Sequence, residues 1–416
     1  MTNKTFVVAD IHGENRKQNS SIVFSDILLL GSIFIALVLC TSQPIFGNVL
    51  STSILKHFPL VIFLVAFALH MVGRRITFSP KINSSGVVLW LSPFLVLGLY
   101  ALTGSLYAKY TLKIDDTFLN LGIYLLMTPL FFIWGREDSG SYKIVRALIF
   151  LWGVTVLMAI IGTLARIMQI QALHEIEFLV LPFFLYLYYA TKSYGGRVFS
   201  LALLLLTTIL CQKLTGYVIG ISAFIYIGLI YIRDFVKPNW KGFVYGSSGF
   251  LLILFIGILI FGYIYFRQYL PSGNPEVRLH QYEIAFSGFL KSPLWGNAYI
   301  AGAGEVYIEN LRKLNIPTHS DILDLLKQGG IVAFLLWGVG MLNTIKLFIK
   351  STHLFSHIPQ VNAFFHAMVF MNIAEVFTYA FNPMLLKPPF AFVIWGLLSY
   401  SAGLATSSNK GETNAD

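Results

Sequence analysis

The segment "IPTHSDILDLLKQGG" at residues 316–330 places a histidine, a serine and two aspartates at the start of an otherwise apolar run. Thr318, followed three residues later by Asp321, fits a capping box and predicts that a helix begins here. A helix N-terminus presents free N–H groups and the positive end of a dipole, which together favour an anionic ligand. His319 would lie in the first turn, where a histidine is suited to accept a proton or to bind an anion.

These polar residues also have an interpretation without chemistry. His319 can be a capping or interfacial histidine with a satisfied hydrogen bond. Asp321 and Asp324 suit the first turn of any helix because acidic side chains there complement the dipole. Lys327 lies three residues after Asp324 and is spaced to pair with it. Both interpretations stay open for His319 at this level.

A second set of candidate residues precedes this segment. Arg278 lies in "EVRLHQYEIAFSGFL", where Leu279, Tyr282, Phe286 and Phe289 recur at helical spacing. We expect an amphipathic helix that lies on the membrane surface or caps a bundle, with this apolar face directed at the bundle. A guanidinium is a planar fork of donors suited to phosphate, and the alternative for Arg278 is a structural ion pair.

The composition defines the elements that must position these residues. The chain of 416 residues is 56% hydrophobic and 12% charged, whereas soluble domains carry about 25% charged residues. Apolar runs of about 17–25 residues are long enough to cross a bilayer as helices. The sequence therefore predicts an all-α polytopic membrane protein. Twelve transmembrane helices are predicted, at residues 24–46, 57–73, 86–108, 117–134, 144–165, 176–191, 197–211, 214–232, 243–266, 321–349, 361–381 and 388–405.

The predicted orientation follows from lysine and arginine, which concentrate in cytoplasmic connections. Arg74, Arg75, Arg136 and Lys143 lie in connections on the same side as the N-terminus. Both termini are therefore expected to be cytoplasmic. The net charge of +10 is this topological signal, and no nucleic-acid partner is expected.

One connection differs in length from the others. Residues 1–20 and 406–416 are predicted cytoplasmic tails, residues 21–266 and 321–405 hold helices 1–9 and 10–12, and residues 267–320 form a large extracytoplasmic loop. Loops of this length are uncommon unless functional or disordered, and this one contains predicted structure. Besides the helix around Arg278, a second short helix is expected at "EVYIENLRKL".

A few polar residues fall within or beside the predicted spans. Glu375 lies inside the eleventh span, and an acid there typically faces the bundle interior. Glu177 lies close to an outer boundary and is interpreted as snorkelling. Cys40 and Cys211 both fall in apolar spans and are interpreted as packed thiols.

Three features occur together in this sequence. The first is the set of predicted spans with one large outer loop between the ninth and tenth spans. The second is an arginine that precedes a Pro-x-x-Gly turn in "SPLWGNAYIAGAG", and the third is a His-Ser pair that opens "HSDILDLLKQGG". The residues that fit these motifs are Arg278, Pro293, Gly296, His319, Ser320, Leu323 and Gly330. The combination resembles the O-antigen ligase and polymerase superfamily of bacterial membrane glycosyltransferases, and it implies a GT-C-like membrane fold.

The chain departs from this family at two places. Ala333 stands where members often have a second glycine-like position three residues after the glycine. Many members carry a Ser-Arg pair in a segment like "SRTGY", whereas this chain reads "CQKLTGYVIG". Thr215 and Tyr217 agree with that segment, Leu214 stands in place of the arginine, and Lys213 is the nearby cation.

The resemblance implies a donor glycan on undecaprenyl diphosphate at the outer leaflet of the bacterial cytoplasmic membrane. An acceptor hydroxyl attacks the anomeric carbon and the diphosphate leaves, without a metal or other cofactor. Fixed cations must then stabilise the leaving group. The implied catalytic residues are His319 and Arg278, and the implied substrate-binding residues are Lys213, Tyr282, Arg312, Lys313, Ser320 and Asp321. Expected partners are the lipid bilayer, the lipid-linked glycan, and a chain-length regulator and flippase of the same pathway.

The favoured function is a polymerase that joins lipid-linked repeat units for O-antigen, capsule or exopolysaccharide. A ligase that transfers a finished glycan to lipid A core uses the same donor chemistry, so the donor-site residues do not separate the two. A flippase or other transporter also fits twelve spans, but transporters usually show related halves or broken helices. A non-catalytic scaffold for polysaccharide assembly is a further alternative.

Overall fold

The computed structural model describes residues 24–46, 53–74, 85–111, 116–138, 142–165, 176–211, 214–235, 274–296, 305–306, 314–315, 320–381, 384 and 387–407. The helices within these ranges are α1 Phe24–Phe46, α2 Ser53–Arg74, α3 Ser85–Thr111, α4 Asp116–Leu126, α5 Thr128–Glu137, α6 Lys143–Ala165, α7 Glu177–Ala190, α8 Tyr194–Leu210, α9 Leu214–Phe235, α10 Asn274–Lys291, α11 Asp321–Leu354, α12 Pro359–Phe381 and α13 Pro388–Ser407. Two short strands, β1 Glu305–Val306 and β2 Leu314–Asn315, pair antiparallel.

Eight stretches within the described residues are long and apolar enough to cross a membrane. They lie in α1, α2, α4 with α5, α6, α9, α11, α12 and α13, and shorter apolar helices cover Trp90–Leu106, Glu177–Ala190 and Tyr194–Leu210. The prediction of an all-α, multi-pass membrane protein is confirmed in this coarse form. The total of twelve spans stays a prediction, since residues 243–266 lie outside the described part of the chain.

Side-chain contacts between neighbouring helices define two ends of the bundle. Trp90 of α3 donates to Thr344 of α11 at 2.8 Å, and farther along α3 Tyr100 contacts the segment that docks on the first turns of α11. We call the end where α3 ends and α11 begins the upper end. Ser25 at the start of α1 lies 3.1 Å from His70 near the end of α2, and this end is the lower end.

The centre of the bundle is α13, whose side chains are buried on nearly every face. Its contact with α5 is very close, because a Cβ atom at Gly135 would overlap the Tyr400 carbonyl and one at Gly403 would overlap the Phe132 carbonyl. Small residues allow helix backbones to approach closely in membranes. This contact places α13 where it touches most of the other described helices.

Two elements differ from the sequence prediction. The fourth predicted span is divided into α4 and α5 at Met127, because Pro129 has no N–H group to continue the hydrogen-bond pattern. The helix predicted at "EVYIENLRKL" is wrong at both ends, where Val306 pairs with Leu314 in a strand ladder. β-branched and aromatic residues in that segment favour extended backbone.

Candidate functional site

The start of α11 is built around Ser320. Its hydroxyl accepts a hydrogen bond from the backbone N–H of Leu323 at 3.3 Å, and the helix begins at Asp321. Ser320 is therefore the N-cap, and the predicted capping box between Thr318 and Asp321 is wrong. A capping box with Thr318 as the N-cap would begin the helix at residue 319, whereas the helix begins at Asp321.

Asp321 ties the start of α11 to the connection between α12 and α13. Its Oδ2 atom accepts a hydrogen bond from the backbone N–H of Met384 at 2.6 Å. Asp321, Asp324 and Lys327 are all buried, with exposed fractions of 2%, 3% and 5%. Buried charges are costly unless they are paired or hydrogen-bonded, so the first turns of α11 form an organised polar region rather than a solvated helix end.

A buried acid on α12 extends this polar region into the bundle. Glu375 is fully buried, as expected from its position in an apolar span. Tyr379, one turn further along α12, is also buried. The upper end of the bundle therefore encloses an acid on α12 as well as the two acids at the start of α11.

α11 is interrupted at Gly330, which has φ 67° and ψ −168°. The break frees the backbone N–H groups of the next two residues from their helical partners. Ile331 donates instead to the carbonyl of Pro293 at 2.8 Å, and Val332 donates to the carbonyl of Leu294 at 3.3 Å. A turn from the preceding segment thus replaces the missing helical hydrogen bonds of α11.

Both sides of this contact require glycine. Gly296 also has a positive φ of 71°, and a Cβ atom there would overlap the backbone of Gln328. At position 330 a Cβ atom would overlap the carbonyl of Leu294. Residues other than glycine rarely adopt a positive φ. The Pro-x-x-Gly turn and the later glycine, which the sequence offers as separate motif elements, therefore meet in one backbone contact.

α10 packs beside α11 through small and polar residues. Gln281 and Ala285 are each 1% exposed, whereas Phe286 is 54% exposed. Of the predicted apolar face, Phe286 therefore points away from the bundle, whereas Tyr282 and Phe289 are half-buried. A side chain as small as that of Ala285 allows α10 to approach α11 closely. We infer that this close packing stabilises the helix pair more than burial of the larger apolar side chains on the other face would.

The predicted site residues fall into three groups. Ser320 and Asp321 lie together at the start of α11, and Tyr282 is half-buried on α10. Arg278 lies within α10, seven residues or about two turns before Ala285. His319, Lys213, Arg312 and Lys313 lie outside the described residues, and their roles stay predictions.

Sequence reasoning missed a buried ionic cluster at the lower end. His70 lies between two carboxylates, with Nδ1 3.3 Å from Asp26 and Nε2 2.7 Å from Glu137. Trp134 donates to Asp26 at 3.3 Å. The signal available in the sequence was ionisable residues inside apolar spans, which typically face the bundle interior.

Three further expectations concern burial. Cys40 and Cys211 are both buried, as predicted. Glu177 is 0% exposed, so the interpretation as a snorkelling side chain is wrong. It begins α7, which packs closely against α12, and both of its carboxylate oxygens are buried.

Comparison of the sequence with known proteins identifies no family for this chain. No family model matches the chain, and no curated protein matches it. The resemblance to the O-antigen ligase and polymerase superfamily therefore rests on the motifs and topology of the chain itself.

Proposed function

We propose that this protein is a metal-independent membrane glycosyltransferase that polymerises oligosaccharide repeat units carried on undecaprenyl diphosphate. The observation that supports it best is the contact between the Pro293–Gly296 turn and the break at Gly330. This contact holds α10 beside α11. The helix that carries Arg278 therefore packs beside the helix that begins after Ser320.

The chemistry of the proposed reaction fits the groups in these segments. The hydroxyl oxygen of the acceptor sugar attacks the anomeric carbon of the donor, and the bond from that carbon to the diphosphate oxygen breaks. The diphosphate leaves with the bonding electrons, and the hydroxyl proton passes to His319. Arg278 and the N–H groups at the start of α11 stabilise the negative charge that develops on the leaving group.

The predicted orientation places this end of the bundle on the extracytoplasmic side. Lysine and arginine concentrate at the opposite end, as in Arg136, Lys143 and Arg233. A lipid-linked donor at the outer leaflet would reach the start of α11 from the lipid phase. The cell compartment proposed is the bacterial cytoplasmic membrane.

A transporter is the second candidate, because broken helices are typical of transporter binding sites. In such sites the freed backbone groups bind the substrate or ion. In this protein the N–H groups of Ile331 and Val332 are already occupied by the carbonyls of Pro293 and Leu294. The break therefore serves the attachment of α10, which favours the enzyme.

Deletion of the gene, followed by analysis of the lipid-linked glycan that accumulates, tests the proposal. A polymerase deletion leaves a single repeat unit on lipid at the outer leaflet. Finished chains left on lipid would indicate a ligase, and a repeat unit retained at the cytoplasmic leaflet would indicate a flippase. Unchanged polymer would contradict all three.

A further inference from the structure

The surface of α10 that faces away from α11 carries large apolar side chains. Phe286, Leu290, Leu294 and Trp295 have exposed fractions of 54%, 58%, 59% and 58%. A spacing of four residues places Phe286 and Leu290 along one side of α10, and Leu294 and Trp295 lie in the turn that follows the helix. Such a patch marks an interaction surface rather than a solvated face.

The height of this patch in the bilayer follows from its attachment to α11. The turn is hydrogen-bonded beside Gly330, and the exposed residues Lys346 and Lys350 lie 16 and 20 residues further along the same helix. At about 1.5 Å per residue these separations are about 24–30 Å. A hydrocarbon core is about 30 Å thick. With the lysines at one boundary, the turn lies at the opposite boundary.

The patch is continuous with the lipid-facing side of α3. Tyr100 of α3 donates a hydrogen bond to the carbonyl of Trp295, which attaches the turn to that helix. Val96 and Leu99, within the apolar stretch of α3, are 51% and 54% exposed. A tyrosine and a tryptophan in contact at this level match the aromatic residues enriched at membrane boundaries.

The adjacent side of α10 is polar. Glu283, Ser287 and Lys291 are exposed, and their spacing of four residues places them along a second side of the helix. A helix with one apolar and one charged exposed side suits the plane between acyl chains and headgroups.

We propose that Phe286, Leu290, Leu294 and Trp295 insert into the membrane and contact the acyl chains of phospholipids in the leaflet at the upper end. α10 then anchors to the bilayer as well as to α11. This inference concerns the surface of α10 and is independent of the proposed reaction. It specifies, of the two positions that the sequence leaves open for this helix, the one on the membrane surface, and it names the residues that enter the bilayer.

Site-directed spin labelling of the full-length protein in phosphatidylcholine vesicles tests this inference. Cys40 and Cys211 are buried, so a cysteine introduced on the surface is the preferred site for the label. The variants are Leu290→Cys on the apolar side and Lys291→Cys on the polar side of the same helix. Collisions with oxygen report contact with acyl chains, and collisions with a water-soluble nickel chelate report contact with water.

We expect the label at position 290 to collide more often with oxygen than with the nickel chelate, and the label at position 291 to show the reverse order. Leu294→Cys provides a second apolar site should the first variant fail to fold. A label at positions 290 and 294 that is reached by nickel would overturn the proposal in favour of a water-exposed face. Protection from both reagents, with spin–spin broadening between labels, would overturn it in favour of a second copy of the chain.

Discussion

Gly330 is the residue on which the attachment of α10 to α11 depends. Its φ of 67° is unfavourable for any other residue, and a Cβ atom would overlap the Leu294 carbonyl. Backbone strain of this kind costs about 1–3 kcal/mol. We expect Gly330→Ala to lower the thermal stability of the purified protein in detergent and to reduce polymer formation in cells.

Gly338→Ala is the matched control for that variant. Gly338 lies in the same helix, and a Cβ atom there would meet nothing within 4 Å. Alanine is favoured over glycine in a helix by about 1 kcal/mol, so this variant should be at least as stable as the unmodified protein. Equal stability of the two variants would contradict a special role for the break.

His319 is the predicted proton acceptor. We expect His319→Ala to abolish polymer while the abundance of the protein in the membrane stays unchanged, because the proposed role is chemical. His357→Ala is the control, since His357 is an exposed histidine at the lower end. Gel analysis of the polysaccharide and immunoblots of the membrane fraction are the measurements. Normal polymer from the His319 variant would remove this residue from the site.

Arg278 is the predicted ligand of the diphosphate. We expect Arg278→Lys to impair polymerisation strongly, because a point charge replaces a planar fork of donors. The same substitution at Arg146, an exposed residue at the start of α6, should leave polymer unchanged. Near-normal polymer from Arg278→Lys would instead indicate a structural ion pair.

At the scale of elements, the contact between α5 and α13 determines how tightly the bundle closes. A Cβ atom at Gly403 would overlap the Phe132 carbonyl. We expect Gly403→Ala to push the two helices apart and to lower stability by about 1–3 kcal/mol, the usual range for overpacking. Gly31→Ala on α1, where nothing lies within 4 Å, should change the melting temperature little. A comparable loss in both variants would show that the effect is not one of packing.

α10 illustrates why helical spacing alone does not identify a buried face. Its large apolar residues suggested one packing side, yet the described structure buries Gln281 and Ala285. In a membrane, exposed apolar side chains carry no penalty, because lipid tails solvate them. The packing face is therefore selected by size and hydrogen bonding, which periodicity does not report.

At the scale of the whole molecule, the distribution of basic residues predicts the orientation in the membrane. The excess of lysine and arginine on one side predicts that both termini are cytoplasmic. We expect a fluorescent protein fused after residue 416 to be fluorescent, since such proteins fold in the cytoplasm. Alkaline phosphatase inserted between residues 166 and 175 should be active, because that enzyme requires the extracytoplasmic side. The opposite pattern of activities would invert the topology and move the candidate site to the cytoplasm.

The sequence by itself determined the class of the protein and the position of most helices. Long apolar runs can satisfy their backbone hydrogen bonds in a bilayer only as helices, so the multi-pass architecture follows from composition and spacing. It also identified Glu375 as a buried acid and Gly330 as part of a motif, because each conflicts with its apolar or helical surroundings.

Only the tertiary structure decided which of these residues meet. The partners in the decisive contacts are far apart in sequence, as in Asp321 with Met384 and Gly330 with Leu294. Local patterns such as a capping box describe only neighbours along the chain. The carboxylate of Asp321 instead accepts a hydrogen bond from Met384 on the other side of the bundle. The position of α10 beside the start of α11 therefore depends on two N–H groups that the helix break frees and that bond to the carbonyls of a turn distant in sequence. Every residue except proline carries the same backbone N–H and carbonyl groups, so the sequence does not show which of them will pair.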